Sequence, residues 1–299
     1  MALRRSLLSI QPGPTLATVM VAVSAVGFGL VPIFARGLID AGIAVPAIAF
    51  YRFAFTAALL LPFLMVSRDK RPAMLMGFGC GLIMGLGWIG YVHAVKVAPI
   101  ALAGVIYMTY PLFAVLFAWI ILGQRPAGRT ILAALMILGA AALALSPGSI
   151  DPEVFTALLI SFAAPIGFGL GIPVLAGKLW VLSLPERMVS ALSGSVVGLA
   201  PLVLSLDIDV VVPSRLSDWL LIAGLSIGTA MLPQFLYVFA VPKVGAARAA
   251  MAGSFELPTM FLVGWLAFGE EIGVMQMIAG GLVILAIVIT PPIKAPASS

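Results

Sequence analysis

Tyr91-Val92-His93-Ala94-Val95-Lys96-Val97 recurs as Tyr237-Val238-Phe239-Ala240-Val241-Pro242-Lys243-Val244, at an offset of 146 residues that becomes 147 past Pro242. Each copy closes a long apolar run, the third and the eighth along the chain. Other matches keep the same order. Tyr110-Pro111 aligns with Leu257-Pro258, and Trp119 with Leu122-Gly123-Gln124 aligns with Trp265 and Phe268-Gly269-Glu270. Near the start of each half, Gly27-Phe28-Gly29-Leu30 is echoed by Gly167-Phe168-Gly169-Leu170. Several matches at nearly one offset read as an internal duplication rather than coincidence.

The apolar runs lie near residues 15–35, 46–66, 73–95, 99–122, 130–146, 155–177, 187–206, 216–241, 244–268 and 272–290. About 20 such residues cross the hydrocarbon core of a bilayer as a helix. Of 299 residues, 63% are hydrophobic and 9% charged, whereas a soluble domain carries about a quarter charged residues. So few charges cannot cover a water-facing surface, so the surrounding medium is lipid. Arg4 and Arg5 are separated from the first run by Pro12-Gly13-Pro14, and that run is too long for a signal-peptide core, so it is expected to stay as the first span. Gaps between runs stay within about ten residues and no Walker A sequence occurs, which excludes a separate nucleotide-binding domain.

Lys and Arg set the orientation. With the N-terminus in the cytoplasm, twelve of the sixteen Lys and Arg residues fall inside. Only Arg36, Lys96 and Arg215 fall outside, and Arg52 lies within a run. The acids Asp40, Asp151, Glu153, Asp207, Asp209, Asp218, Glu270 and Glu271 show the reverse bias. Both termini are expected inside, and the net charge of +5 reads as a sorting signature rather than a nucleic-acid footprint. One Cys (Cys80) and one His (His93) do not make a Cys-rich or multi-His metal centre. No cofactor is expected, and the partners are a small-molecule substrate and membrane lipid. An odd number of spans separates the repeat copies, so the halves face opposite ways. The expected fold is an all-α membrane protein of ten transmembrane helices, built as two inverted five-helix repeats over residues 1–147 and 148–299. Substrate sites in such duplications lie near the midplane, at the repeat interface.

The five-plus-five repeat, Tyr51-Arg52-Phe53 in run two, and the ordered set Glu256, Pro258, Trp265, Gly269 and Glu270 resemble the drug/metabolite transporter superfamily, EamA type. Within it the chain is most similar to bacterial amino-acid exporters, including the YddG-like aromatic amino-acid exporters. That resemblance implies a multi-pass protein of the bacterial inner membrane that exports small metabolites and catalyses no reaction. Gln124 departs from the pattern, standing where the first-half Gly-Glu copy often has a carboxylate.

Glu256 sits about halfway along run nine, roughly 18 Å from its end at 1.5 Å per residue. A carboxylate at that depth costs several kcal/mol (about 2.5–3.5 on insertion scales) unless protonated, paired or facing water. Two readings stand: a cavity-lining group that meets a substrate ammonium or a proton, or a buried glutamate bonded to a neighbouring helix near Pro258. Its repeat counterpart is Thr109. Trp88 and Tyr91 share a face of run three, Gln234 and Tyr237 are their counterparts on run eight, and Tyr107 and Tyr110 share a face of run four. These groups either converge on one cavity, suited to an apolar solute with a zwitterionic head, or anchor at the membrane interface. His93 and Arg52 are candidates for gating or proton-linked roles, against interfacial or snorkelling placements. Arg248 is expected to snorkel. Gly77, Gly81 and Gly85, and Gly167 with Gly171, form smooth faces for close packing. Pro32, Pro111, Pro173 and Pro258 are expected to bend their helices.

The leading functional expectation is export of neutral or aromatic amino acids by alternating access, downhill or ion-coupled. A polyspecific drug or cation exporter is the alternative. Sugar-phosphate carriage needs cavity-facing cations, for which Arg52 alone is a candidate. An intramembrane enzyme needs clustered catalytic groups that the sequence lacks, and a channel needs no kinked inverted repeat.

Overall fold

The computed structural model describes residues 13–97, 106–143, 152–269, 271 and 273–291, and among these every regular element is helical. The first run is α1 (Pro14–Gly29) followed by α2 (Val31–Asp40); α3 (Val45–Leu59) and α4 (Arg71–Val97) follow. The fourth run contributes α5 (Tyr110–Leu122), and α6 (Gly128–Leu143) the fifth. The sixth is α7 (Pro152–Ser161) and α8 (Ala163–Gly177), and the seventh α9 (Leu184–Leu204). In the eighth, α10 (Leu216–Ser226) passes through a π-helical turn, Ile227–Met231, into α11 (Leu232–Val244). The ninth is α12 (Ala246–Gly253) and α13 (Glu256–Phe268), and α14 (Val274–Ile289) is the last. Among the described residues six segments are long and apolar enough to cross a membrane: Pro14–Asp40, Arg68–Tyr91, Phe155–Gly177, Leu184–Leu204, Leu216–Val244 and Ala246–Phe268. Val45–Leu59, Tyr110–Leu122, Gly128–Ala140 and Met277–Ile289 are shorter apolar helices. Leu16, Val19 and Val23 stand exposed along one stripe of α1, as an apolar face does when its solvent is lipid.

Four runs are broken, and proline explains where. Proline has no N–H to donate and its ring clashes with the preceding turn, so it is comfortable only where a helix starts. Pro32 and Pro111 therefore occupy the first turns of α2 and α5, just past Leu30 and Thr109. Pro165 and Pro258 lie in the first turns of α8 and α13, after Phe162 and after Ser254-Phe255. Pro173 lies inside α8, which runs through it without interruption. The sixth run breaks instead one turn upstream of Pro165.

The two Gly-Phe-Gly segments make equivalent close approaches with exchanged partners. A Cβ on Gly27 would strike Pro233 of α11, and one on Gly29 would lie 2.7 Å from Thr259 of α13. A Cβ on Gly167 would lie 2.9 Å from the Met84 backbone of α4, and one on Gly169 would lie 2.9 Å from the Tyr110 carbonyl of α5. Run one is thus seated against runs eight and nine, and run six against runs three and four. Gly171 is not part of such a seam. It faces open space and lines the cavity described below.

Between α4 and α9 small residues let the backbones touch. Gly77 abuts Ser190, Gly81 abuts the Ala191 carbonyl, and Gly85 faces Ser195 and Gly198. Gly194 of α9 returns the contact against Phe78. At one end of this pair Lys70 Nζ binds Glu186 at 2.9 Å; Glu186 also closes the capping box that starts α9 from Ser183. On the periphery α6 and α14 pack through Ala133, Ala134, Ile137 and Ala286. Arg248 does not snorkel free. Its Nε donates to Thr18 Oγ1 at 2.8 Å and its Nη1 to the Thr290 carbonyl at 2.9 Å, which ties α12 to the ends of α1 and α14.

Overpacking a tight helix seam costs about 1–3 kcal/mol. Gly81→Val is therefore expected to lower the thermal midpoint of the purified protein. Gly79→Ala, where a Cβ meets nothing, is expected to leave it unchanged or raise it, because alanine favours helix by up to about 1 kcal/mol. Equal midpoints for the two variants would contradict the seam.

Candidate functional site

The helices enclose a cavity of about 580 Å³, within the range that holds a small organic ligand. Its wall includes Phe28, Arg52, Trp88, Tyr91, Tyr107, Phe168, Gln234, Tyr237 and Glu256. Residues from six runs in both halves of the chain therefore meet here, together with Arg52 from run two.

An unbroken chain of rings forms the aromatic part of the wall. Trp88 lies 5.0 Å from Tyr91 and 6.0 Å from Tyr107, and Tyr107 stacks on Phe168 at 6.0 Å. Phe168 stacks on Tyr237 at 6.4 Å, and Tyr237 meets Phe28 edge-on at 6.0 Å. The Arg52 guanidinium closes the chain, 5.8 Å from the Phe28 ring and 5.4 Å from that of Phe53. Offset and edge-to-face pairs of this kind hold one another in place through the ring quadrupoles, and the guanidinium adds a cation–π contact.

Trp88, Tyr91, Tyr107, Gln234, Tyr237, Glu256 and Arg52 are thus brought together. Tyr110 stands behind the wall: it is 1% exposed, edge-on to Phe168 at 4.8 Å, with its hydroxyl donating to the Ala250 carbonyl at 3.2 Å. Tyr237, at 3% exposed, is likewise a buried ring and not an interfacial anchor. The side chain of His93 lies outside the described residues. Phe28 and Phe168 were readable only as parts of the Gly-Phe-Gly echo. The flanking glycines press each helix onto its neighbours, and the phenylalanine between them is left on the cavity side.

Glu256 is the first residue of α13. The unsatisfied N–H groups of a helix start favour a carboxylate there, and the Ser254-Phe255 break is what puts a helix start at this depth. Among the described residues no salt bridge joins Glu256 to Arg52, although both line the same cavity. The cations differ from the expectation that Arg52 stands alone, since Arg36 and Arg187 also line the cavity. Arg187 spends its Nε on the Leu182 carbonyl at 2.8 Å and its Nη2 on that of Trp180 at 3.1 Å. Arg36 is exposed, 5.3 Å from the ring of Phe268. Neither was legible as a wall residue, because each sits near the end of its run.

Among the described residues Arg52 has one firm bond, from Nη2 to the Thr229 carbonyl at 2.9 Å, and its Nε has no partner. The Tyr237 hydroxyl is also buried without a partner. A buried unsatisfied group costs about 1–3 kcal/mol, whereas a made hydrogen bond contributes about 0.5–1.5 kcal/mol. Tyr110→Phe is therefore expected to lower the ligand-free thermal midpoint, and Tyr237→Phe to leave it level or raise it. The reverse order in a thermal melt would refute this assignment of the two hydroxyls.

The EamA-like transporter family model matches the chain twice, over residues 15–146 and 152–290. No curated protein matches it. A solved crystal structure aligns over 92% of this chain and 96% of its own, with 18% identity and a TM-score of 0.73, a likeness of fold. With two family copies covering most of its length, an apolar helical bundle and a small-molecule cavity where the copies meet, this chain belongs to the EamA-like transporter family of multi-pass membrane proteins.

Proposed function

We propose that the protein is a secondary transporter that exports neutral and aromatic amino acids by alternating access across a bacterial inner membrane. Ten spans in two inverted five-helix halves, with both termini in the cytoplasm, carry the movement. The observation that supports the substrate class is the pairing of two opposite charges, Arg52 and Glu256, on the wall of one aromatic cavity with no salt bridge between them. A zwitterion answers both charges at once, and the rings take an apolar side chain. Buried charges need a partner of opposite sign, and a substrate that supplies both keeps the cavity neutral overall. A lone cation answers Glu256 but is opposed by Arg52, so the quaternary-ammonium alternative fits less well. A phosphate ester meets only one arginine at the centre, since Arg187 is committed to backbone carbonyls and Arg36 stands at the rim.

Trp88, Tyr91, Tyr107, Gln234, Tyr237 and Glu256 are the proposed substrate-facing groups. Glu256 either holds the ammonium or carries a proton in exchange for it. Purified protein in liposomes is expected to give saturable, mutually competable flux of labelled phenylalanine, tryptophan or leucine. Absence of such flux for every amino acid tried would sink the amino-acid reading. With Glu256 as the proton carrier, Glu256→Gln is expected to abolish uptake driven by a pH gradient and to spare substrate exchange. Unchanged pH-driven uptake would remove that role.

A further inference from the structure

Pro233 creates a defect in the eighth run that a residue from the second run repairs. In an α-helix the carbonyl of residue 229 accepts from the N–H of residue 233. Residue 233 is proline, which has none. The chain answers by widening into the π-helical turn Ile227–Met231, immediately ahead of Pro233. Pro233 itself is wedged into the notch that Gly27 leaves in α1. In lipid, a carbonyl freed from the helix ladder has no water to turn to. The Thr229 carbonyl is instead met by Arg52 Nη2 at 2.9 Å. Beside Arg52, the Tyr51 carbonyl accepts from Ser226 Oγ at 3.0 Å, just ahead of the π-turn, so α3 is fastened to the eighth run at two nearby points.

A guanidinium has five N–H donors in a planar fork. One is spent on Thr229, and Nε, buried and without a partner, belongs to a side chain on the cavity wall. Gln234 and Tyr237 follow the π-turn on the same run and line the same cavity. Among the described residues the equivalent third run has no such device. α4 is continuous from Arg71 to Val97, and the position aligned with Pro233 is Gly87, which packs on the Ala163 carbonyl.

Resting on the amino-acid reading above, we propose that Arg52 has two simultaneous roles. It is the surrogate donor that closes the Pro233 gap in the eighth run, and it is the residue that recognises the substrate's carboxylate through its free N–H groups. A carboxylate drawn to the guanidinium competes with the Thr229 carbonyl. Substrate binding is thereby coupled to the hold on the π-turn, and through it to the placement of Gln234 and Tyr237. Arg52 is the residue through which occupancy of the cavity loosens or tightens one gate helix. Glu256, on the same wall, takes the other end of the zwitterion.

The hinge half is tested by a double-mutant cycle, which isolates a pairwise coupling. Arg52→Gln and Pro233→Ala are made singly and together, and backbone hydrogen exchange over residues 226–234 is followed in reconstituted protein without ligand. Pro233→Ala supplies the backbone N–H that proline withholds from the helix ladder. Arg52→Gln is expected to speed exchange about tenfold in the parent, as loss of one charge-assisted bond does, and much less in the Pro233→Ala background. Equal acceleration in both backgrounds overturns the surrogate-donor role. Arg52→Lys, which keeps the charge and a donor, is expected to fall between the parent and Arg52→Gln, and supplies the comparison where Arg52→Gln fails to fold. The carboxylate half is tested with three probes of one shape: phenylalanine, 3-phenylpropionate and 2-phenylethylamine. Parent protein is expected to bind phenylalanine at least about tenfold more tightly than 2-phenylethylamine, and Arg52→Gln to erase that preference and to weaken 3-phenylpropionate. Equal binding of all three by the parent, or an unchanged preference in Arg52→Gln, overturns it. Binding of none of the three overturns both the carboxylate role and the amino-acid reading, while the exchange cycle still decides the hinge.

Discussion

In a hydrocarbon medium a carbonyl that leaves its helix must be given a donor by the protein itself, because neither lipid nor bulk water supplies one. This bundle interrupts its helices at Leu30, at Met108-Thr109, at Phe162, at Ser254-Phe255 and at the π-turn before Pro233. Each interruption is a cost accepted inside the membrane. Three of them adjoin the cavity, through Val31, Met108 and Glu256, and backbone that lines a cavity inside the protein is the setting in which irregular structure survives at that depth. The cavity and the breaks therefore require one another. The breaks place Glu256 at a helix start and Phe28 just before one. The cavity in turn is what makes loose backbone affordable there.

The duplication turns this local requirement into an architecture. Run one lies against runs eight and nine, and run six against runs three and four, so the equivalent helix of each half is embedded in the other half. Neither half has a complete wall of its own. Trp88, Tyr91 and Tyr107 come from the first copy and Gln234, Tyr237 and Glu256 from the second, with the stacked ring of Phe168 between them. A solute in the cavity touches both copies and senses any movement of one against the other.

Much of this was legible in the sequence, and the gaps have physical causes. Hydropathy gave the apolar runs, because lipid selects against charge residue by residue. The YV-x-AV echo exposed the duplication, and with it the convergence of Trp88 and Tyr91 with Gln234 and Tyr237. Tyr107 and Tyr110, three residues apart, looked equivalent. The turn at Met108-Thr109 separates them, sending one ring to the wall and the other behind it. Pro173 read as a kink, and α8 is continuous through it. Pro233, unnoticed because it follows a smooth apolar stretch, is the proline that changes the helix type. The partner of a lone buried charge is also invisible to periodicity, since Arg52 and Thr229 are 177 residues apart and only folding introduces them.

The two copies diverge most where equivalent helices meet in pairs. In one, α4 and α9 are joined backbone to backbone through Gly77, Gly81, Gly85, Gly194 and Gly198, a contact of many small van der Waals terms with no single member to release. In the other, α3 meets the π-turn of run eight through the Arg52 and Ser226 bonds. Dispersion across a glycine seam cannot be undone by a ligand, since no solute competes for it. A charge-assisted bond to a carbonyl can be, because a carboxylate is a stronger acceptor for the same guanidinium. A ligand moves a conformational equilibrium only by its difference in affinity for the two states, and such a difference is available at Arg52 and absent at Gly81. The sequence asymmetry of the repeat thus assigns the parts. Under the proposed carboxylate role of Arg52, the glycine seam is the side that stays together and the arginine clasp is the side that a carboxylate-bearing solute opens.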